Sequence, residues 1–135
     1  MDDIEIKVGF ENMDFEAVKA LLKQTYWACD RSDETIRKSL ENSLCFGAFL
    51  RATGEQIGFT RAMTDYATTY YLADVVVDEA HRGLGAGAAL VKAATENAQL
   101  QKLRGILITK TAEGLYRKFG FSDYDGVFLS KPRQE

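Results

Sequence analysis

The sequence predicts an α/β domain: a mixed, mostly antiparallel, twisted sheet flanked by helices, with a parallel β-loop-α-β unit at its centre. Three observations predict it. Residues 44–64 read as two strands joined by Arg51-Ala52-Thr53-Gly54, and a short polar turn between apolar runs makes an antiparallel hairpin. Val75-Val76-Val77 is apolar on both faces, the mark of a covered central strand. Beyond it a glycine loop opens a helical pattern that leads to Ile106-Leu107-Ile108-Thr109, and a strand, crossover helix and strand in one sheet run parallel with a right-handed connection.

The elements follow in order. Ile4, Ile6 and Val8 alternate with Glu5 and Lys7, the period of a half-buried strand. Asp14 caps a first helix whose Phe15, Val18, Leu21 and Leu22 share one face, fading near Tyr26-Trp27. Ser32 caps a second, short helix ending about Ser43, with Asp33 and Glu34 at its positive end and Ile36 and Leu40 as its apolar pair. Strands over 44–50 and 56–64 form the hairpin, and the polar link 64–68 leads to the strand 70–77. After the loop 81–87, Leu90, Val91, Ala94 and Ala98 mark a helix to about Gln101, and 106–109 is a short buried strand. Residues 112–118 form a short helix stopped by Gly120, and 121–130 reads as one or two edge strands around Asp125-Gly126. There are no repeats or linkers, so a single domain spans 1–135.

Composition narrows the function. With 46% hydrophobic and 27% charged residues, 11 Gly and one Pro, the chain is globular rather than collagenous or disordered. Cys29 and Cys45 form no CxxC pair and there is one histidine, so neither a metal site nor a disulfide framework is expected, and a reducing, cytoplasmic setting fits best. The formal net charge of −3, with Lys and Arg scattered singly, offers no field to hold nucleic acid. No apolar run approaches the roughly 20 residues that span a bilayer, and Met1-Asp2-Asp3-Ile4-Glu5 is acidic where a signal peptide is basic. The expectation is an unexported protein with neither membrane nor nucleic acid as partner.

The sharpest motif is Arg82-Gly83-Leu84-Gly85-Ala86-Gly87, between the Val-rich strand and the next helix. Amides at a helix start have no intrahelical acceptor, and glycine lets a phosphate approach them closely. Arg82 adds a guanidinium, which favours a pyrophosphate over a lone carboxylate. A dinucleotide site is disfavoured, because antiparallel strands precede the unit and the acid that would hold the ribose is missing from Thr109-Lys110-Thr111. A nucleoside triphosphatase loop is excluded by the absence of G-K-[ST].

That hexapeptide resembles the R-x-x-G-x-G loop of the GNAT superfamily of acetyl-CoA-dependent N-acetyltransferases. Leu115-Tyr116-Arg117-Lys118-Phe119-Gly120-Phe121 is similar to the family's L-Y-x-x-x-G-F segment. The two stand in the family's order, and the likeness of elements covers nearly the whole chain. The resemblance implies that the coenzyme A diphosphate lies on Arg82, Gly83, Leu84, Gly85, Ala86, Gly87 and Ala88. Its pantetheine arm would run beside Val75, Val76 and Val77, with a backbone amide such as that of Val75 facing the thioester carbonyl. It implies direct acetyl transfer from acetyl-CoA, as co-substrate and without a metal, to an amine; a primary amine of a small molecule is the expected acceptor because no extended surface signal is visible, and monomer and homodimer both stay open.

Tyr116 then reads either as the general acid for the departing thiolate or as an aromatic packing the last helix with Leu115 and Phe119. Asp74, taken to share a strand face with Leu72 and Val76, is either a desolvated base of raised pKa or a structural carboxylate. Asp65 is a second base candidate, and His81 reads as a surface residue beside the loop. Tyr26, Trp27, Tyr66 and Asp65 suit a cationic amine. A non-catalytic acyl-CoA sensor would keep Arg82 and the glycines without needing Tyr116, and a protein or peptide amine is the other acceptor class.

Overall fold

The computed structural model describes residues 3–134; Met1, Asp2 and Glu135 lie outside them, so the acidic opening is described only from Asp3. The chain forms five strands, β1 (Ile4–Val8), β2 (Leu44–Leu50), β3 (Gln56–Thr64), β4 (Thr69–Val77) and β5 (Arg104–Ile106), ordered along one sheet as in the sequence. The first four pair antiparallel and β4 pairs parallel with β5. The helices are α1 (Phe15–Lys23), α2 (Asp33–Glu41), α3 (Ala86–Glu96) and α4 (Glu113–Arg117). Both expected caps are made: Asp14 accepts from the Ala17 amide at 3.2 Å and Ser32 from the Thr35 amide at 3.2 Å.

Helices cover both faces of the sheet. Leu90, Val91 and Ala94 of α3 pack with Phe46, Ala48, Tyr70 and Leu72 on one face. Val18 and Leu22 of α1 pack with Ile36 and Leu40 of α2 against Cys45, Phe59 and Val76 on the other. A sheet buried on both faces explains why β2 and β3 read as apolar runs as much as alternating ones.

Several boundaries differ from the sequence expectation, each for a local reason. α1 stops at Lys23 rather than near Trp27 because the Thr25 hydroxyl donates to the Leu22 carbonyl at 2.8 Å and accepts from the Ala28 amide at 3.1 Å, drawing the backbone out of the helix. α3 stops at Glu96 rather than Gln101 because Asn97 leaves the helical region and its side-chain oxygen accepts from the Gln99 amide at 2.9 Å. The last strand is 104–106, not 106–109, and Ile108 is 49% exposed rather than buried. Residues 121–130 form no strand; Val127, Phe128 and Leu129 are exposed there. Strand propensity yields a strand only against a partner edge, and the three residues of β5 offer little of one.

β4 itself is irregular. Phe59 pairs with Val76, but the next β3 partner is Arg61 with Ala73, so Asp74 and Val75 together oppose Thr60. This β-bulge is reached through Asp74 at φ 57, a left-handed conformation that Asp tolerates better than most residues.

Candidate functional site

The bulge slips the strand's alternation by one. Tyr70 and Leu72 belong to the core under α3, whereas Val76 belongs to the core under α1 and α2. Asp74 therefore does not share a face with Leu72, as alternation implies; it points with Val76 toward the α1–α2 side. β4 also parts from β5. Their pairing ends at Tyr71 with Ile106, so beyond it the edge of β4 has no strand beside it. The gap widens into a cleft of about 940 Å³ lined by β4 from Tyr71 to Val77, by the glycine loop, by Leu115 and Tyr116, and by Tyr26, Trp27, Arg31 and Lys110.

At one end of this cleft α3 begins. Gly83 and Gly85 have φ of 92 and 85, and nothing within 4 Å would meet a Cβ at either. Gly85 caps the helix with no side-chain hydrogen bond; the first helical bond closes from the Ala89 amide to the Gly85 carbonyl at 3.0 Å. Among the described residues the amides from Gly83 to Ala88 donate to no protein group outside the helix. Free amides, a positive helix end and an open surface are what a phosphate group needs, and Arg82 lines the same cleft. The residues present fit a coenzyme A diphosphate, and the open edge of β4 fits an extended amide-bearing arm.

Gln24, which follows α1, steadies the connection between β4 and α3. Its amide nitrogen donates to Asp78 at 2.9 Å and its oxygen accepts from the Glu79 amide at 3.1 Å. The Gln24 and His81 hydrogen bonds hold the Asp78 carboxyl below its usual range. His81 lies 2.6 Å from Asp78, so its role here is to bond locally.

Tyr116 is 8% exposed and lines the cleft. Its ring meets Phe121 edge to face with centroids 6.2 Å apart, so the packing reading holds, and burial raises its phenol above the usual 10. It is protonated at neutral pH.

At the other end stands Asp74, whose carboxylate accepts from Trp27 Nε1 at 2.9 Å, an Arg31 guanidinium nitrogen at 2.8 Å and Arg61 Nε at 2.7 Å. Burial alone would raise its pKa, but the Arg31 hydrogen bond together with the charge and hydrogen bond of Arg61 outweighs it, and the net shift is downward. Of the two readings of Asp74, the raised pKa is not found, and a carboxylate held by three donors matches the structural one. Arg61 also donates to Ser43 at 3.1 Å.

The acceptor residues divide. Tyr26 and Trp27 line the cleft, edge to face with centroids 5.1 Å apart. Asp65 and Tyr66 do not line it. Asp65 accepts from the amides of Thr68, Ala67 and Thr69 and from the Thr68 hydroxyl, which push its pKa well below the usual range. It organises its own turn, and Tyr66 sits beside it at φ 60, half exposed. Both are corrected as acceptor residues, since the turn's own hydrogen bonds consume the carboxylate. Arg31, Arg61 and Lys110 are the charged lining residues not anticipated. Arg61 carried a signal, a charge in the middle of a buried strand; Arg31 and Lys110 carried none.

Cys45 is buried and its thiol is pushed up to about 12 by burial. Among the described residues no group of His, Cys, Asp and Glu is placed to hold a metal ion, and no helix is long and apolar enough to cross a membrane.

Comparison with known proteins gives a consistent picture. Residues 41–123 match the acetyltransferase (GNAT) domain. A candidate acetyltransferase of Gibberella zeae is 29% identical over 130 residues, covering 81% of this chain and 73% of its own. The crystal structure of a candidate GNAT acetyltransferase from Xanthomonas campestris pv. campestris has a TM-score of 0.84 and 36% identity, over 90% of this chain and 86% of its own. An aminoglycoside N-acetyltransferase in complex with CoA shares the fold with a TM-score of 0.73 and 18% identity, over 97% and 95% of the two chains.

Proposed function

Since the chain belongs to the GNAT acetyltransferase family, we propose that it moves an acetyl group from acetyl-CoA directly to the primary amine of a small molecule. The observation that carries this reading is the run of unpartnered amides at the start of α3 leading into the open edge of β4, with Tyr116 in the same cleft. A fold relative in complex with CoA supports the choice of coenzyme. The Gly83 to Ala88 amides and Arg82 hold the diphosphate, and the open edge from Leu72 to Val77 receives the arm.

The acceptor nitrogen attacks the thioester carbonyl, the nitrogen–carbon bond forms and the carbon–sulfur bond breaks. A β4 amide at the bulge, such as that of Val75, stabilises the transient oxyanion. The departing thiolate takes the phenolic proton of Tyr116, and the proton of the amine leaves to water in the cleft, which restores the phenol. A coenzyme thiol of pKa near 8.5 makes this transfer modestly uphill, and a positioned general acid contributes about 10²- to 10⁴-fold.

The test is release of free thiol from acetyl-CoA across a panel of primary amines. Tyr116→Phe is expected to lower kcat by about 10²-fold or more with the calorimetric Kd for acetyl-CoA unchanged. Undiminished turnover removes Tyr116 as the acid. Acetyl-CoA binding without thiol release to any amine favours the sensor reading.

A further inference from the structure

Resting on that reading, we propose that the acceptor carries a carboxylate or comparable anionic group besides its amine, and that Arg31 and Lys110 bind it. The argument begins with charge. The charged side chains lining the cleft are Arg31, Arg61, Arg82 and Lys110 against a single carboxylate, Asp74, in a chain whose formal net charge is −3. A cationic cleft on an anionic protein concentrates anions and repels polyamines.

Asp74 does not neutralise this end. Arg61 is nearly buried and gives Nε to Asp74 and a terminal nitrogen to Ser43, so its charge is paired chiefly with the Asp74 carboxylate. Arg31 gives Asp74 one nitrogen, retains 22% of its side-chain exposure, and its remaining guanidinium donors have no partner among the described residues. Lys110 lies 5.2 Å from the Tyr26 ring centroid with no carboxylate partner among the described residues. From Lys110 to Tyr26, to Trp27, to Asp74 and to Arg31 the contacts are continuous. The two spare cations thus line one cleft with Tyr26 and Trp27, a combination suited to a small carboxylate.

The diphosphate seat does not account for Arg31. Arg82 and the free amides stand at the start of α3, whose helix covers one face of the sheet, whereas the bulge turns Asp74 and its arginines to the face covered by α1 and α2. The diphosphate seat and Arg31 thus belong to elements on different faces of the sheet.

The probes are the ω-amino acids from glycine to 6-aminohexanoate, each with its carboxamide, and spermidine. Thiol release is read as kcat/KM, and binding is read separately from the emission of Trp27, the single tryptophan, which sits in the recess. For at least one chain length the acid is expected to exceed its amide by about 10- to 100-fold in both readouts, the size of one charge-assisted contact. In Lys110→Met that ratio falls toward one while the Kd for acetyl-CoA is unchanged; Arg31→Met repeats the result. Lys110 makes no structural hydrogen bond, so its variant does not depend on the Asp74 network surviving. Equal binding of acids and amides, a preference for spermidine, or a loss of acetyl-CoA affinity in Lys110→Met with the ratio intact each overturns the proposal. Acid binding without thiol release leaves the anion site standing and sinks the transferase reading instead.

Discussion

Replacing Asp74 by Asn separates two roles that the sequence left open. The wild-type carboxylate accepts three hydrogen bonds, from Trp27, Arg31 and Arg61. The amide keeps one acceptor oxygen and turns a donor toward the others. Arg31 can swing into the cleft and recover water, but the Arg61 side chain at 10% exposure cannot. Charge-assisted hydrogen bonds are worth about 1.5–3 kcal/mol each, and removing one partner of a buried pair costs about 3–5 kcal/mol. With Arg31 relieved by solvent, a loss of about 3 kcal/mol is expected. At a urea m-value of about 1.5 kcal/mol/M that lowers the unfolding midpoint by about 2 M.

The pH dependence has a definite sign. The folded pKa of Asp74 lies below its ordinary value, so its stabilisation is complete above the unfolded pKa near 4 and fades as pH falls through the folded value. Wild-type stability should drop on acidification below about pH 4, and the difference between Asp74→Asn and wild type should shrink there. Activity is the second readout: the variant is expected to retain the acidic limb of the kcat/KM profile with a raised KM for the acceptor. Unchanged stability with that acidic limb abolished would refute the reasoning and restore Asp74 as the base.

The glycine loop makes an independent prediction. Gly85→Ala places a Cβ at φ 85 in open space, so its folding cost is the left-handed penalty of about 1 kcal/mol, a fall in Tm of roughly 3–6 °C by differential scanning calorimetry. Gly85→Val is expected to weaken acetyl-CoA binding well beyond that strain, and unchanged affinity would mean that the phosphates lie elsewhere. Cys45, buried with a thiol near 12, should resist alkylation in the folded protein while exposed Cys29 reacts. Mass spectrometry should find one label per native chain and two after unfolding.

Much was legible from local pattern alone. Alternation at Ile4, Ile6 and Val8, the caps at Asp14 and Ser32, and the apolar faces of α1 and α2 depend on neighbours a few residues away, and the structure has each of them. The glycine loop was legible for the same reason, since the amides of a helix start and the glycines that expose them are contiguous in the chain. Family membership rests on that loop and on Leu115 to Phe121. Where a helix stopped early, a side chain such as Thr25 or Asn97 competed for the backbone, a choice that helical periodicity does not encode.

The acceptor end was decided only by tertiary structure. Asp74 owes its face to a bulge in which it and Val75 together oppose Thr60, and its charge to arginines from the α1–α2 connection and from β3. Lys110 and Tyr26 are brought together from segments remote in the chain, and Asp65, promising in sequence, is spent on its own turn. Periodicity reports which way a side chain points along one strand. It is silent on what other strands and loops bring to meet it, and the electrostatic sign of a cleft is a sum over those meetings.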